Sequence, residues 1–156
     1  MRLAPVLSLF AALLLAAMPL PASIIAFKPD WVALTLMYWT LTAPPAFGLA
    51  TAFAAGLVLD TLTGSLLGQH ALGLLLLVYV CGRFRLRLRA FPVVQSTIVV
   101  AALLAANEFL LLWIDGIAGR TVPISERWPP IASGTLVWFV VWSTLDRGRE
   151  HAPARL

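Results

Sequence analysis

The sequence predicts an all-α protein built for lipid rather than water, and three observations carry that prediction. Apolar residues make up 61% of the 156, charged residues only 12%, and the mean hydropathy is +0.93. A soluble domain carries roughly 25% charged and about 45–50% apolar residues, and a chain this short has too much surface per volume to hide the excess. The apolar residues also fall in solid blocks, without the continuous alternation of a membrane barrel. In hydrocarbon every backbone N–H and C=O needs an internal partner, so such blocks are read as helices.

Six blocks follow one another and form a single polytopic domain over residues 1–146. The first helix is expected over about 3–20, stopped by Pro19 and Pro21. It has the basic start and apolar centre of a signal peptide, but no small-x-small cleavage site stands near Ala22, so it is read as retained. The second is expected over 29–43, with Pro29 suited to a first helical position. The third follows Pro44-Pro45 over 45–60; the fourth, fifth and sixth are expected over 66–82, 92–114 and 128–145. A tail over 147–156 completes the chain. A 15-residue helix spans only about 22 Å against a hydrocarbon core of about 30 Å. Lys28, Trp31, Tyr38 and Trp39 are placed to extend the second span into the interface, so full crossing is expected.

The net charge of +4 could suggest nucleic acid, but in a membrane protein the placement of basic residues matters more than their sum. With six crossings and a cytoplasmic N-terminus, the cytoplasmic side holds Arg2, Arg83, Arg85, Arg87, Arg89, Arg147, Arg149 and Arg155. Lys28, Arg120 and Arg127 fall outside. That bias puts both termini in the cytoplasm.

Ionisable groups inside a bilayer are expensive and are read as functional candidates. Asp60 sits at the C-terminal end of the third helix, where a carboxylate opposes the helix dipole. It should need compensation from hydroxyls, backbone N–H groups or a cation; capping of the next segment, a junction within a complex and catalysis are its three readings. Glu108, beside Asn107, lies two-thirds of the way along the fifth helix, placed to pair with another helix, meet a partner or line a cavity. Asp115 is read as interfacial. The basic-apolar alternation of Arg83, Arg85, Arg87 and Arg89 suits a segment on the membrane face, a topology determinant or a docking site. Gly48, Ala52 and Gly56 recur every four residues, a spacing that lets helix backbones approach closely.

No catalytic constellation is expected. His70 and His151 lie far apart, Ser and Thr residues lack a base at motif spacing, and no metal-binding or phosphate-loop motif occurs. The lone Cys81 in an apolar run is read as a small packed residue. Neither a cofactor nor a metal is expected.

Two motifs carry a resemblance. Phe27-Lys28-Pro29-Asp30-Trp31, followed by Tyr38-Trp39, and Gly56-x-x-x-Asp60 with Gly64-Ser65 and Leu67-Gly68, together resemble the pattern of the MreD family. The likeness extends over about 27–149, in its later part mainly by hydropathy; Lys28 and Asp30 replace the commoner Arg and Asn. The resemblance implies a rod-shape-determining membrane scaffold working with MreC, MreB, RodA and a class B penicillin-binding transpeptidase in lateral peptidoglycan synthesis. It also implies a fold similar to the substrate-binding subunits of energy-coupling-factor transporters, and Gly48, Ala52, Gly56, Asp60, Gly64 and Gly68 as packing or partner residues. The competing reading is a small-molecule-binding transporter subunit with Asn107 and Glu108 in its cavity. Reporter fusions within 83–89 should register as cytoplasmic and fusions within 118–127 as extracytoplasmic; the inverse pattern would break the threading.

Overall fold

The computed structural model describes residues 3–43, 48–121 and 123–150. Eight α-helices occur among them: α1 (Leu3–Ala17), α2 (Ala22–Ile25), α3 (Trp31–Thr42), α4 (Leu49–Thr63), α5 (Gln69–Arg83), α6 (Arg85–Ala90), α7 (Val93–Ile117) and α8 (Trp128–Glu150). A 3₁₀ turn, Ile124–Glu126, precedes α8. The six long helices match the six apolar blocks; the short α2 and α6 are additions.

Several ends differ from expectation for local reasons. Pro29 does not open α3. Asp30 is its N-cap, and the Asp30 carboxylate accepts from the Ala33 N–H at 3.0 Å, so Pro29 stands outside the helix. Likewise α4 runs on to Thr63 and stops at Gly64, whose φ of 65° is the left-handed conformation that closes a helix cheaply without a Cβ. Asp60 therefore lies in the last turn of α4 and not at its end. Leu66–Gly68 form a turn, and α5 begins only at Gln69. α8 continues through Glu150, so residues 147–150 are helical. Pro44-Pro45, Arg2, His151 and Arg155 lie outside the described residues.

Packing places α3 at the centre. Val32, Ala33, Leu34, Leu36, Met37, Thr40 and Leu41 are buried over rather more than half of its circumference, and Trp31, Thr35, Tyr38, Trp39 and Thr42 on the remaining face are half-buried, as suits a largely interior helix. α1, α5 and α8 surround it, and α5 in turn contacts α4 and α7. Cys81 is buried in this core, and its thiol is free. Lys28 does not reach outward to lengthen a span. Its ammonium turns back on the end of α1, donating to the carbonyls of Ala16 and, at 3.1 Å, Met18, the contact a cation makes with the negative end of a helix. Partial burial lowers its pKa from the ordinary lysine value. Trp39 is also drawn inward, its indole N–H donating to Ser8 Oγ of α1 at 2.7 Å.

The outer surface fits lipid. In α7 the buried residues are Ser96, Val100, Leu104, Asn107, Leu111 and Asp115, one stripe at helical spacing. Off that stripe Ile98 is 64%, Trp113 62% and Ile117 85% exposed. On α1 Leu3, Val6, Leu7 and Phe10 are likewise exposed. A water-soluble monomer rarely presents so much contiguous apolar surface. α7 is the one described helix both long and apolar enough to cross a membrane by itself; α1, α4 and α5 are apolar but shorter.

The small-residue series divides. Gly56 and Ala52 are buried, and a Cβ on Gly56 would overlap the backbone of Ala71 across the α4–α5 seam. Gly48 is exposed, with nothing within 4 Å of the same position. Gly73 of α5, unremarked in the sequence, has Asn107 of α7 pressed against it in the same way. Gly56→Ala and Gly73→Ala should each destabilise the folded protein by about 1–3 kcal/mol through overpacking, while Gly48→Ala should leave it unchanged. Thermal unfolding of purified variants in detergent checks this, and equal melting of all three would refute the seam.

Candidate functional site

The polar groups that the helices carry converge at one end of the bundle, and Asp60 organises them. The turn at Gly64 swings the chain back so that the N-terminus of α5 arrives over the last turn of α4. One Asp60 carboxylate oxygen then accepts from the Gly68 N–H at 2.7 Å. The other accepts from the His70 N–H at 2.8 Å, from Ser65 Oγ at 2.8 Å, and from His70 Nδ1 at 2.8 Å. Three of these four contacts crowd onto Oδ1 and one reaches Oδ2, so the carboxylate is held from within its own chain on both oxygens. The positive end of the α5 dipole offsets the negative end of α4 that Asp60 would otherwise face. The compensation Asp60 needs thus comes from hydroxyl, imidazole and backbone within its own chain.

The arrangement does not form a catalytic triad. Ser65 Oγ lies 3.1 Å from His70 Nδ1, the same nitrogen that faces Asp60. A relay requires the carboxylate on one ring nitrogen and the nucleophile on the other. Donation to Asp60 fixes the proton on Nδ1 and leaves Nε2 as the ring's remaining polar atom.

A second group lies beside the first. Gln69, next to His70, donates from Nε2 to Asp115 at 2.9 Å. Asp115 also receives the Arg127 guanidinium, which donates from its other terminal nitrogen to Glu108 at 3.3 Å. Asp115 and Glu108 stand two turns apart on α7, so the Arg127 fork spans them from the start of α8. Asp115 is accordingly buried in a network and does not simply mark an interface. Asn107 is buried against Gly73. A cleft of about 190 Å³ opens beside these groups, lined among others by Lys28, Asp30, His70, Glu108 and Pro130.

The structure therefore brings together Lys28, Asp30, Asp60, Gly68 and Glu108 from the sequence candidates, and keeps Arg83, Arg85, Arg87 and Arg89 at the opposite end. Trp31 lines the cleft as well, whereas Gly64 acts through its turn. Sequence reading missed Ser65, Gln69, His70 and Arg127. The available signal was position: His70 is the second residue of α5, and Arg127 is the last residue before α8. No group of three or more His, Cys, Asp and Glu side chains suited to a metal occurs among the described residues.

A helical bundle with an apolar exterior and charged groups satisfied by one another defines a membrane protein held together by an internal polar cap. The chain belongs to the MreD family: the family model for the rod shape-determining protein MreD matches residues 1–144. It is 37% identical over 97 residues to the rod shape-determining protein MreD of Haemophilus influenzae, covering 62% of this chain and 60% of that relative. The chain thus aligns with somewhat under two thirds of that protein's length. No solved structure matches it.

Removing Arg127 strands two carboxylates. Arg127→Ala should destabilise the protein by about 3–5 kcal/mol, the usual cost of breaking a largely buried ion pair. The triple change Arg127→Met, Glu108→Gln, Asp115→Asn should recover most of that loss, because no unpaired charge remains. Denaturation in detergent measures both, and an Arg127→Ala protein as stable as the parent would show the network to be idle.

Proposed function

We propose that this chain is a non-enzymatic, multi-pass scaffold of the bacterial cytoplasmic membrane that binds MreC and helps direct lateral peptidoglycan synthesis in the elongation machinery. MreB, RodA and a class B penicillin-binding transpeptidase are the further partners this role implies. Six long helices cross as one domain, with both termini and the arginine-rich end in the cytoplasm.

The observation that carries this reading is the internal pairing of the polar cap. Asp60 accepts four hydrogen bonds from within the chain, and Glu108 and Asp115 share Arg127. Groups spent on each other hold helices in place; they are not poised to stabilise a transition state. At this end of the bundle the apolar exterior is what remains for other molecules, so the scaffold acts by binding and positioning. Asp60 and Gly56 serve this function indirectly, by fixing the α4–α5 hairpin whose outer face carries Phe53, Val58 and Leu62.

A second reading, a small-molecule-binding subunit, draws on the cleft at Lys28, Asp30, His70 and Glu108. Its volume of about 190 Å³ falls below the roughly 300–1,000 Å³ of ordinary ligand pockets, which argues against a vitamin-sized ligand. Ligand-dependent thermal stabilisation of the purified protein would favour it.

Single cysteines at Phe53, Val58 and Leu62 of α4, in a Cys81→Ala background, should crosslink to co-expressed MreC. Cysteines at the inward Ala52 and Ala55 should not. A chain that inserts and folds but yields no crosslink from the exposed positions of α1, α4 or α7 would contradict the scaffold assignment.

A further inference from the structure

The opposite end of the bundle carries four arginines within seven residues. α5 ends at Arg83, the chain bends at Phe84, and α6 starts at once. The basic-apolar alternation suggested a two-faced segment, but α6 is helical, so the residues distribute differently. Leu88 turns into the core, while Leu86 is 78% exposed and Phe84 is also exposed. Arg83, Arg87 and Arg89 are exposed and Arg85 is half-buried.

All ion pairs among the described residues lie at the other end, on Asp60, Glu108 and Asp115. None of these four arginines has a carboxylate partner there. The Arg85 Nε is in addition fully buried and without a hydrogen-bond partner, a condition native structures usually relieve with a water, an ion or a ligand. The same residue helps line a concavity of about 560 Å³, whose described lining includes Arg83, Phe84, Leu86 and Arg87. That volume falls within the ordinary range for ligand sites.

Guanidinium groups present planar forks of donors that match phosphate oxygens. Phe84 and Leu86 stand on the rim of the same concavity as exposed apolar side chains. A ligand satisfying both features has an anionic phosphate head and an apolar tail. We propose that the α5–α6 turn binds the phosphate of an anionic phospholipid, with Arg85 and Arg87 on the headgroup and Phe84 and Leu86 against its acyl chains. Free phosphate would meet the first feature and not the second. A general preference of basic loops for the cytoplasm would require only the sum of charges.

The test uses the full chain in nanodiscs of phosphatidylcholine containing phosphatidylglycerol, with retained lipid counted by native mass spectrometry after transfer to neutral detergent. The parent should retain phosphatidylglycerol over phosphatidylcholine. The double variant Arg85→Lys, Arg87→Lys keeps every positive charge and so the orientation, yet should lose phosphatidylglycerol retention by about fivefold or more, because lysine cannot fork an anion. Phe84→Ser with Leu86→Ser should lower retention of the lipid but not binding of inorganic phosphate. Arg87→Lys alone, at an exposed position, should show part of the loss if the double variant folds poorly. Equal retention by the parent and both lysine variants would overturn the proposal. So would equal stabilisation of the parent by inorganic phosphate and by phosphatidylglycerol, or displacement of the lipid by a glutamate-rich peptide at matched charge.

Discussion

The carboxylate of Asp60 is the constraint on which the rest of the bundle depends. Left alone at the C-terminal end of α4, it would be a buried charge against an unfavourable dipole. The chain resolves this by reversing at Gly64 and bringing the start of α5 onto it. The reversal requires left-handed backbone at Gly64 and at Gly68, with φ of 65° and 97°, where glycine alone is free of Cβ strain. The hairpin so formed then requires close approach, which Gly56 permits against Ala71. Once α5 is seated, Gln69 and Gly73 face α7, and Asp115 and Asn107 are met in turn. One buried charge thereby sets the register of three helices.

The two ends of the molecule follow opposite electrostatic rules. At the Asp60 end, cations and anions come from the same chain and are matched: Arg127 lies between Glu108 and Asp115, and the Lys28 ammonium caps α1. Such internal pairing fixes geometry at little dependence on surroundings. At the arginine end, like charges accumulate within seven residues, and no described carboxylate answers them. Like charges that close repel unless something anionic stands between them. The first end is closed within the fold, while the second presents exposed guanidinium groups to its environment.

Much of this was legible from the sequence. The apolar blocks marked all six long helices because the need to satisfy backbone groups in lipid leaves no other solution. The need of Asp60 for compensation was likewise readable from its place near a helix end. The compensating residues were not. Ser65 and His70 are spaced for no familiar motif, and they meet Asp60 only because Gly64 turns the chain through a left-handed residue. Arg127 looked like one of a few stray basic residues beyond the membrane, since nothing local links it to Glu108 nineteen positions earlier. Gly73 gave no signal by spacing, because its partner is a side chain on another helix. In the arginine segment, alternation alone did not show that helical winding sends Leu86 to the surface and Leu88 into the core.

The shortness of α3 also resolves once packing is considered. Twelve residues rise about 18 Å, too little to cross a hydrocarbon core of about 30 Å. That requirement applies to a helix whose ends meet lipid, and α3 is largely covered by α1, α5 and α8, with no residue of it fully exposed. Backbone at membrane depth is tolerated outside a full span when protein covers it. Its first turn is capped by Asp30, and near its other end Trp39 bonds Ser8 while Tyr38 packs edge-on against Trp142 of α8. The longer α7 and α8 flank this bundle, and α7, at about 37 Å, has length to spare for tilt. A short central helix is thus a consequence of being enclosed, and the aromatic residues expected to anchor it in the interface are used instead to fasten it to its neighbours.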